Sequence, residues 1–179
     1  TFVHVRLGSA PTGAKGPVFA LRGKPGKSPP QLVIPKALRP AALGPDMLAA
    51  IHTAMIAGFD DETKPLVRRA KLREREVAIH PGRFPGGRTH VIVATHTTGP
   101  SDEQTTLSAM LFVKADGTVE FFCQADVLGE ITFRALADLD ADGHDEILLE
   151  DAYHEGWYIE LVHWSRGKPK TRVLTGDGL

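Results

Sequence analysis

The sequence predicts a mainly β fold with a helical element, an α+β arrangement, on three observations. Short apolar runs recur along the chain between glycines and prolines, of which there are 18 and 13. Runs punctuated in this way read as strands. A single stretch, 45–57, instead repeats its apolar residues at helical spacing. The second half also aligns with itself, which predicts two antiparallel, blade-like sheets burying apolar faces against each other and against the helix.

Residues 2–7 partly alternate apolar and polar side chains, as a half-buried strand does. Residues 18–21 and 31–34 are further short strand candidates, separated by an exposed loop rich in Gly, Pro and Lys at 23–30. A helix is predicted over 45–57. Pro45 suits its first turn, Asp46 offsets the positive end, Leu48, Ile51 and Met55 form one apolar stripe, and Gly58 can end it.

The repeat sets out the rest. Moved back by 56 positions, 138–149 falls on 82–93, so that Gly143 meets Gly87 and Ile147 and Leu149 meet Val91 and Val93. Upstream, Phe133 meets Val77 and Ala135 meets Ile79. Downstream, 161–167 matches 111–117 at a shift of 50, so the earlier copy has the longer intervening loop, 97–106. One domain is expected over 1–179: an N-terminal strand, loop and helix region (1–65), a degenerate repeat (66–125) and a second repeat (126–179). A propeller closes with four or more blades, so two units are not expected to form a complete one.

Composition excludes several function classes. A net charge of −1 gives no overall attraction to nucleic acid or to an anionic membrane. No apolar run approaches the roughly 20 residues that span a bilayer. The one dense basic cluster, Arg68, Arg69, Lys71, Arg73 and Arg75, is interrupted by Glu74 and Glu76 and reads as a solvated face. Cys123 is the single cysteine, so no internal disulfide forms, and its apolar surroundings suggest a small core residue. Eight histidines are present, yet no HExxH, CxxC or close His pair marks a zinc site. His90 and His96 share a strand face but would stand about 20 Å apart.

Specific chemistry is carried by one loop. Asp138, Asp140 and Asp142 alternate, Gly143 allows a sharp turn, and Glu146 closes the run. Ca²⁺ takes six to eight oxygen ligands, and this spacing supplies three Asp carboxylates, the His144 main-chain carbonyl and Glu146. An EF-hand would need a bidentate Glu at position twelve, where Leu149 stands, and helices on both sides. The following Ile147, Leu148 and Leu149 suit a strand instead. The alternative is that the Asp residues simply make turns, although acids crowded onto so tight a loop repel each other without a counter-ion.

The Asp138–Asp140–Asp142–Gly143–Glu146 spacing, followed by an apolar strand and the hairpin around Tyr153, Trp157 and Tyr158, resembles the FG-GAP and VCBS calcium-loop repeats of integrin-type β-propellers. The likeness covers the C-terminal part of the chain, from about Ile131 onward. It implies a non-enzymatic calcium-binding domain for recognition or assembly, with an unidentified protein or glycan partner. An extracellular or periplasmic location is expected, where millimolar Ca²⁺ suits weak sites. The start at Thr1 is expected of a trimmed product.

Two other functions stay open. One is an enzyme, a hydrolase whose site assembles only in three dimensions around His80, His90 or His154 with a carboxylate. The other is a structural subunit of a surface assembly. No nucleophile elbow, phosphate loop or dinucleotide motif appears. Trp157 and Trp164 fall on opposite faces of one strand by parity, so at least one is core and the other could form a platform.

Overall fold

The computed structural model describes residues 31–99, 104–125 and 129–178. Every described helix and strand belongs to one compact unit, Leu32–Leu179. The strands expected at 2–7 and 18–21 lie outside the described residues.

A one-turn 3-10 segment at Pro40–Leu43 leads into helix α1 (Met47–Gly58) and the short α2 (Lys64–Arg69). A second 3-10 turn, Glu74–Glu76, enters the first sheet. That sheet is built from β1 (Val77–Pro81), β2 (Arg88–Thr98), β3 (Thr105–Lys114) and β4 (Val119–Gln124). The second comprises β5 (Glu130–Ala137), β6 (Glu146–Tyr153), β7 (Gly156–Ser165) and β8 (Lys168–Gly178). Both are antiparallel and four-stranded, in the order β1-β2-β3-β4 and β5-β6-β7-β8. The fold is therefore mainly β with a few helices, and the two sheets close neither a barrel nor a propeller. No helix among the described residues is long and apolar enough to cross a membrane.

Three layers result because β2 and β3 are apolar on both faces. Ile92, Ala94, Leu107, Ala109 and Leu111 pack against Ile51, Met55 and Phe59 of the α1 layer. The alternate residues Val91, Val93, Met110 and Phe112 meet Ile131, Leu136, Ile147, Leu149 and Val162 of the second sheet. A strand covered on both sides needs an unbroken apolar run, which Val91–Val93 supplies. Each Leu, Ile or Val so buried contributes roughly 1.5–3 kcal/mol.

Two expectations need correcting. Residues 31–34 form no strand: Val33 makes an isolated two-way bridge to Leu136, with N···O distances of 2.7 and 2.8 Å. Pro35 has no N–H to continue the ladder. The segment then crosses to the other sheet, where Leu38 bridges Ile79 in the same manner. It thus straps the edge strand β5 to the edge strand β1. Gly58, expected to terminate α1, is its last helical residue and serves close packing. A Cβ there would stand 2.0 Å from the Phe121 ring of β4.

The two aligned segments fall on strands of equal rank. Phe133 and Val77 lie on β5 and β1, Ile147 and Val91 on β6 and β2, and Leu161 and Leu111 on β7 and β3.

Candidate metal centre

The acidic loop joins β5 to β6 and spans 138–145. Its shape comes from its own side chains. Asp140 Oδ1 accepts the Asp142 N–H at 3.1 Å, Asp142 Oδ1 accepts the His144 N–H at 2.8 Å, and Asp138 Oδ2 accepts the Gly143 N–H at 3.0 Å. The first two are Asx-type bonds to the backbone two residues on, and the third closes the loop across five residues. Two residues turn left-handed, Ala141 at φ 62° and Gly143 at φ 91°. Glycine takes that conformation freely, whereas Ala141 is held there against its preference.

The result gathers Asp138, Asp140 and Glu146, each offering a carboxylate oxygen within 4.8 Å of the others. Glu146 opens β6 opposite Ala137, is only 4% exposed, and accepts the Leu139 N–H at 2.7 Å through Oε2. Burial, opposed by that bond and aided by the charges of Asp140, Asp142 and Asp138, pushes its carboxyl up to about 7. Asp138 Oδ1 is buried and has no hydrogen-bond partner. With all three acids ionised, each pair would repel by at least roughly 3 kcal/mol at an effective dielectric near 20. A buried carboxylate oxygen without a donor costs further free energy. A hard divalent cation removes both penalties, and an all-oxygen donor set suits Ca²⁺. The residues therefore fit the group that the spacing suggested.

One expected ligand stands apart. Asp142 lies outside the three-carboxylate group; its Oδ1 takes the His144 N–H and stands 3.2 Å from His144 Nδ1. That contact engages the His144 ring and leaves its main-chain carbonyl, the expected ligand atom, uninvolved.

Asp145, which the spacing left without a role, faces away from the cluster toward the first sheet. Its carboxylate accepts the Arg83 backbone N–H at 2.8 Å and the Arg83 guanidinium at 3.1 Å, while the Asp145 N–H donates to the Arg83 carbonyl at 2.7 Å. Asp145 raises the Arg83 guanidinium above its ordinary value by hydrogen bonding and charge, with Asp138 adding to the effect. The Trp164 indole N–H donates to the Asp145 carbonyl at 2.9 Å. The acidic loop is thereby pinned to the corresponding turn of the first sheet, between β1 and β2.

The remaining candidates resolve individually. His96 is buried and donates Nδ1–H to Glu76 at 3.0 Å; burial alone would raise the Glu76 carboxyl, but His96 and the Arg73 N–H outweigh it and hold it low. His90 pairs with Thr89. His154 is exposed and stands 3.4 Å from Glu155. His80 is buried, stacks on Phe133 at 3.8 Å and donates Nδ1–H to the Pro35 carbonyl at 3.3 Å. Its desolvation lowers its pKa and keeps it neutral. Cys123 packs in the inter-sheet core, where burial, then Glu160 and Asp151, push its thiol up to about 12. Trp164 packs on Phe112 and Phe84 under the Arg88 guanidinium, whereas Trp157 is 41% exposed. In the basic cluster, Arg68, Arg69, Lys71, Arg73 and Arg75 are all exposed.

Comparison with protein families, with curated proteins and with solved structures finds no match to this chain.

Proposed function

We propose that this protein is a calcium-binding β domain of the FG-GAP/VCBS type that serves recognition or assembly outside the cytoplasm, and that it is not an enzyme. The carrying observation is the convergence of Asp138, Asp140 and Glu146 with a buried, unpartnered Asp138 oxygen. The cation would be held by these three carboxylates and completed by main-chain oxygens or water, as Ca²⁺ requires. Its role is structural: it ties the loop between β5 and β6, and through Asp145 the first sheet as well, so binding raises folded-state stability by mass action. The partner is a protein or glycan, and exposed Trp157 is one contact such a partner could use. Calorimetric titration with CaCl₂ tests the reading. It predicts uptake of one ion per chain and a melting temperature that falls on adding chelator; absence of both sinks it.

One observation favours a hydrolase as the second reading. A cleft of about 480 Å³ between β1 and β5 is lined by His80, Glu76, Glu130 and Thr95. With Nδ1–H committed to Pro35, His80 Nε2 is the basic nitrogen. Loss of an ester- or glycoside-hydrolysing activity in His80→Gln, with unchanged melting, would support this reading over the first.

A further inference from the structure

Beside the acidic loop lies a cavity of about 220 Å³, with Asp140 and Glu146 on one wall and His163, Trp164 and Arg172 on another. His163 and Trp164 come from β7 and Arg172 from β8, so the second wall belongs to the adjoining hairpin. Glu146 is nearly fully buried and commits only Oε2 to a donor; its other oxygen has no hydrogen-bond partner among the described residues. Arg172, exposed on β8, lines this cavity with the two carboxylates and forms no ion pair with either among the described residues. A guanidinium that lines a cavity opposite acids without reaching them leaves a gap between unlike charges. Water can fill such a gap, but a cation held by the acids brings positive charge to both sides of it.

We infer that this cavity is a subsite for a carboxylate, shared between the loop-bound cation and Arg172. The inference rests on the calcium reading above and adds the ligand to it. Each of the three carboxylates commits one oxygen to a backbone N–H, so together they supply fewer ligands than the six to eight that Ca²⁺ takes, and positions remain for an outside oxygen donor on the cavity side. Arg presents a planar fork that matches a carboxylate through two parallel N–H···O bonds, and such charge-assisted bonds are stronger than neutral ones. Leu161 and Trp164 provide apolar contact for the carbon attached to the carboxylate. The volume admits a small acid or one acidic side chain of a peptide and excludes a sugar chain or a folded segment. The carboxylate displaces metal-bound water; no covalent bond is made or broken.

The test uses the intact protein loaded with Tb³⁺ in place of Ca²⁺, with emission sensitised by Trp164. Emission lifetimes in H₂O and D₂O count the water molecules on the ion. Acetate and N-acetyl-aspartyl amide are then titrated up to roughly millimolar concentration. The expected result is loss of about one or two bound waters on saturation. Arg172→Gln should weaken the carboxylate titration about tenfold or more and leave Tb³⁺ affinity unchanged, whereas Arg172→Lys should restore part of it. Displacement by both probes identifies free acids as sufficient; displacement by the aspartyl amide alone identifies an acidic peptide side chain. A lifetime unmoved by either probe, or identical titrations for wild type and Arg172→Gln, overturns the inference and leaves calcium binding standing. Absence of sensitised emission overturns both.

Discussion

Arg83 and Asp145 are joined by three hydrogen bonds in both directions, so a residue of the first sheet's opening turn and one of the acidic loop behave as neighbours on a ladder. Two of the three use backbone atoms. Asp145→Ala therefore removes a carboxylate that serves a main-chain N–H, and should destabilise by about 1–2 kcal/mol. It should also weaken Ca²⁺ binding, although Asp145 is no ligand. Arg83→Ala keeps the backbone bonds and loses only a largely exposed guanidinium, so its melting temperature should stay close to wild type. Urea unfolding of the pair, with and without CaCl₂, checks both statements.

Removing a carboxylate from the loop should have opposite effects on the two states of the site. Asp140→Ala should relieve repulsion in the metal-free protein while deleting a proposed ligand. The chelator-treated variant should melt no lower than chelator-treated wild type, and its calcium-induced shift should largely vanish. Differential scanning calorimetry reads both, and a full shift retained in Asp140→Ala excludes Asp140 as a ligand.

Glu146 should make the proposed calcium effect depend on pH. Its folded-state carboxyl is pushed up to about 7 from an ordinary 4.5. Without metal, the folded protein holds this proton more tightly than the unfolded chain does. That contribution to stability is full below about 4.5 and is lost as pH rises through 7. A cation needs the ionised form. The gap between melting temperatures with calcium and with chelator should therefore widen from pH 5 to pH 8, and calcium uptake near pH 6 should release protons. A gap independent of pH, or no proton release, contradicts the assignment.

Gly58→Ala offers a test of packing against propensity. Alanine is the better helix former by roughly 1 kcal/mol. Its Cβ would nonetheless stand 2.0 Å from the Phe121 ring, so β4 or α1 must shift. Overpacking of this kind costs about 1–3 kcal/mol, and net destabilisation is expected. Phe121→Leu in the Gly58→Ala background should recover part of the loss if the ring is the cause.

Cys123 should be inert in the folded protein. A thiol pushed up to about 12 carries almost no thiolate at neutral pH. Thiol-reactive dye should label it slowly in buffer and fast in urea, with labelling rates tracking unfolding.

Much of this architecture could be read from residue order. The switch from period-two runs to one helical stripe gave a mainly β chain with α1, and the offset between the Gly87 and Gly143 regions matched strands of equal rank. What escaped notice has physical causes. The β8 strand reads Lys168, Pro169, Lys170, Thr171, Arg172, with too little alternation to stand out, yet it pairs along β7 from Ser165 to Gly156. The short α2 forms around Pro65 and buries only Val67, leaving a weak periodic signal. In the acidic loop, alternation identified Asp138 and Asp140, but parity could not show that Asp142 would turn to His144. Arg172 and His163 reach the loop through sheet pairing, which spacing along the chain does not reveal.

Within each sheet every strand pairs with its immediate successor in the chain. Hairpins of this type close short stretches of polypeptide, so little chain entropy is surrendered before the first cross-strand bonds form. Each half can zip up from its own turns before the halves meet. Docking of the two sheets, closed by the 33–38 crossing, is then the step expected to set the refolding rate, more than any search for distant strands.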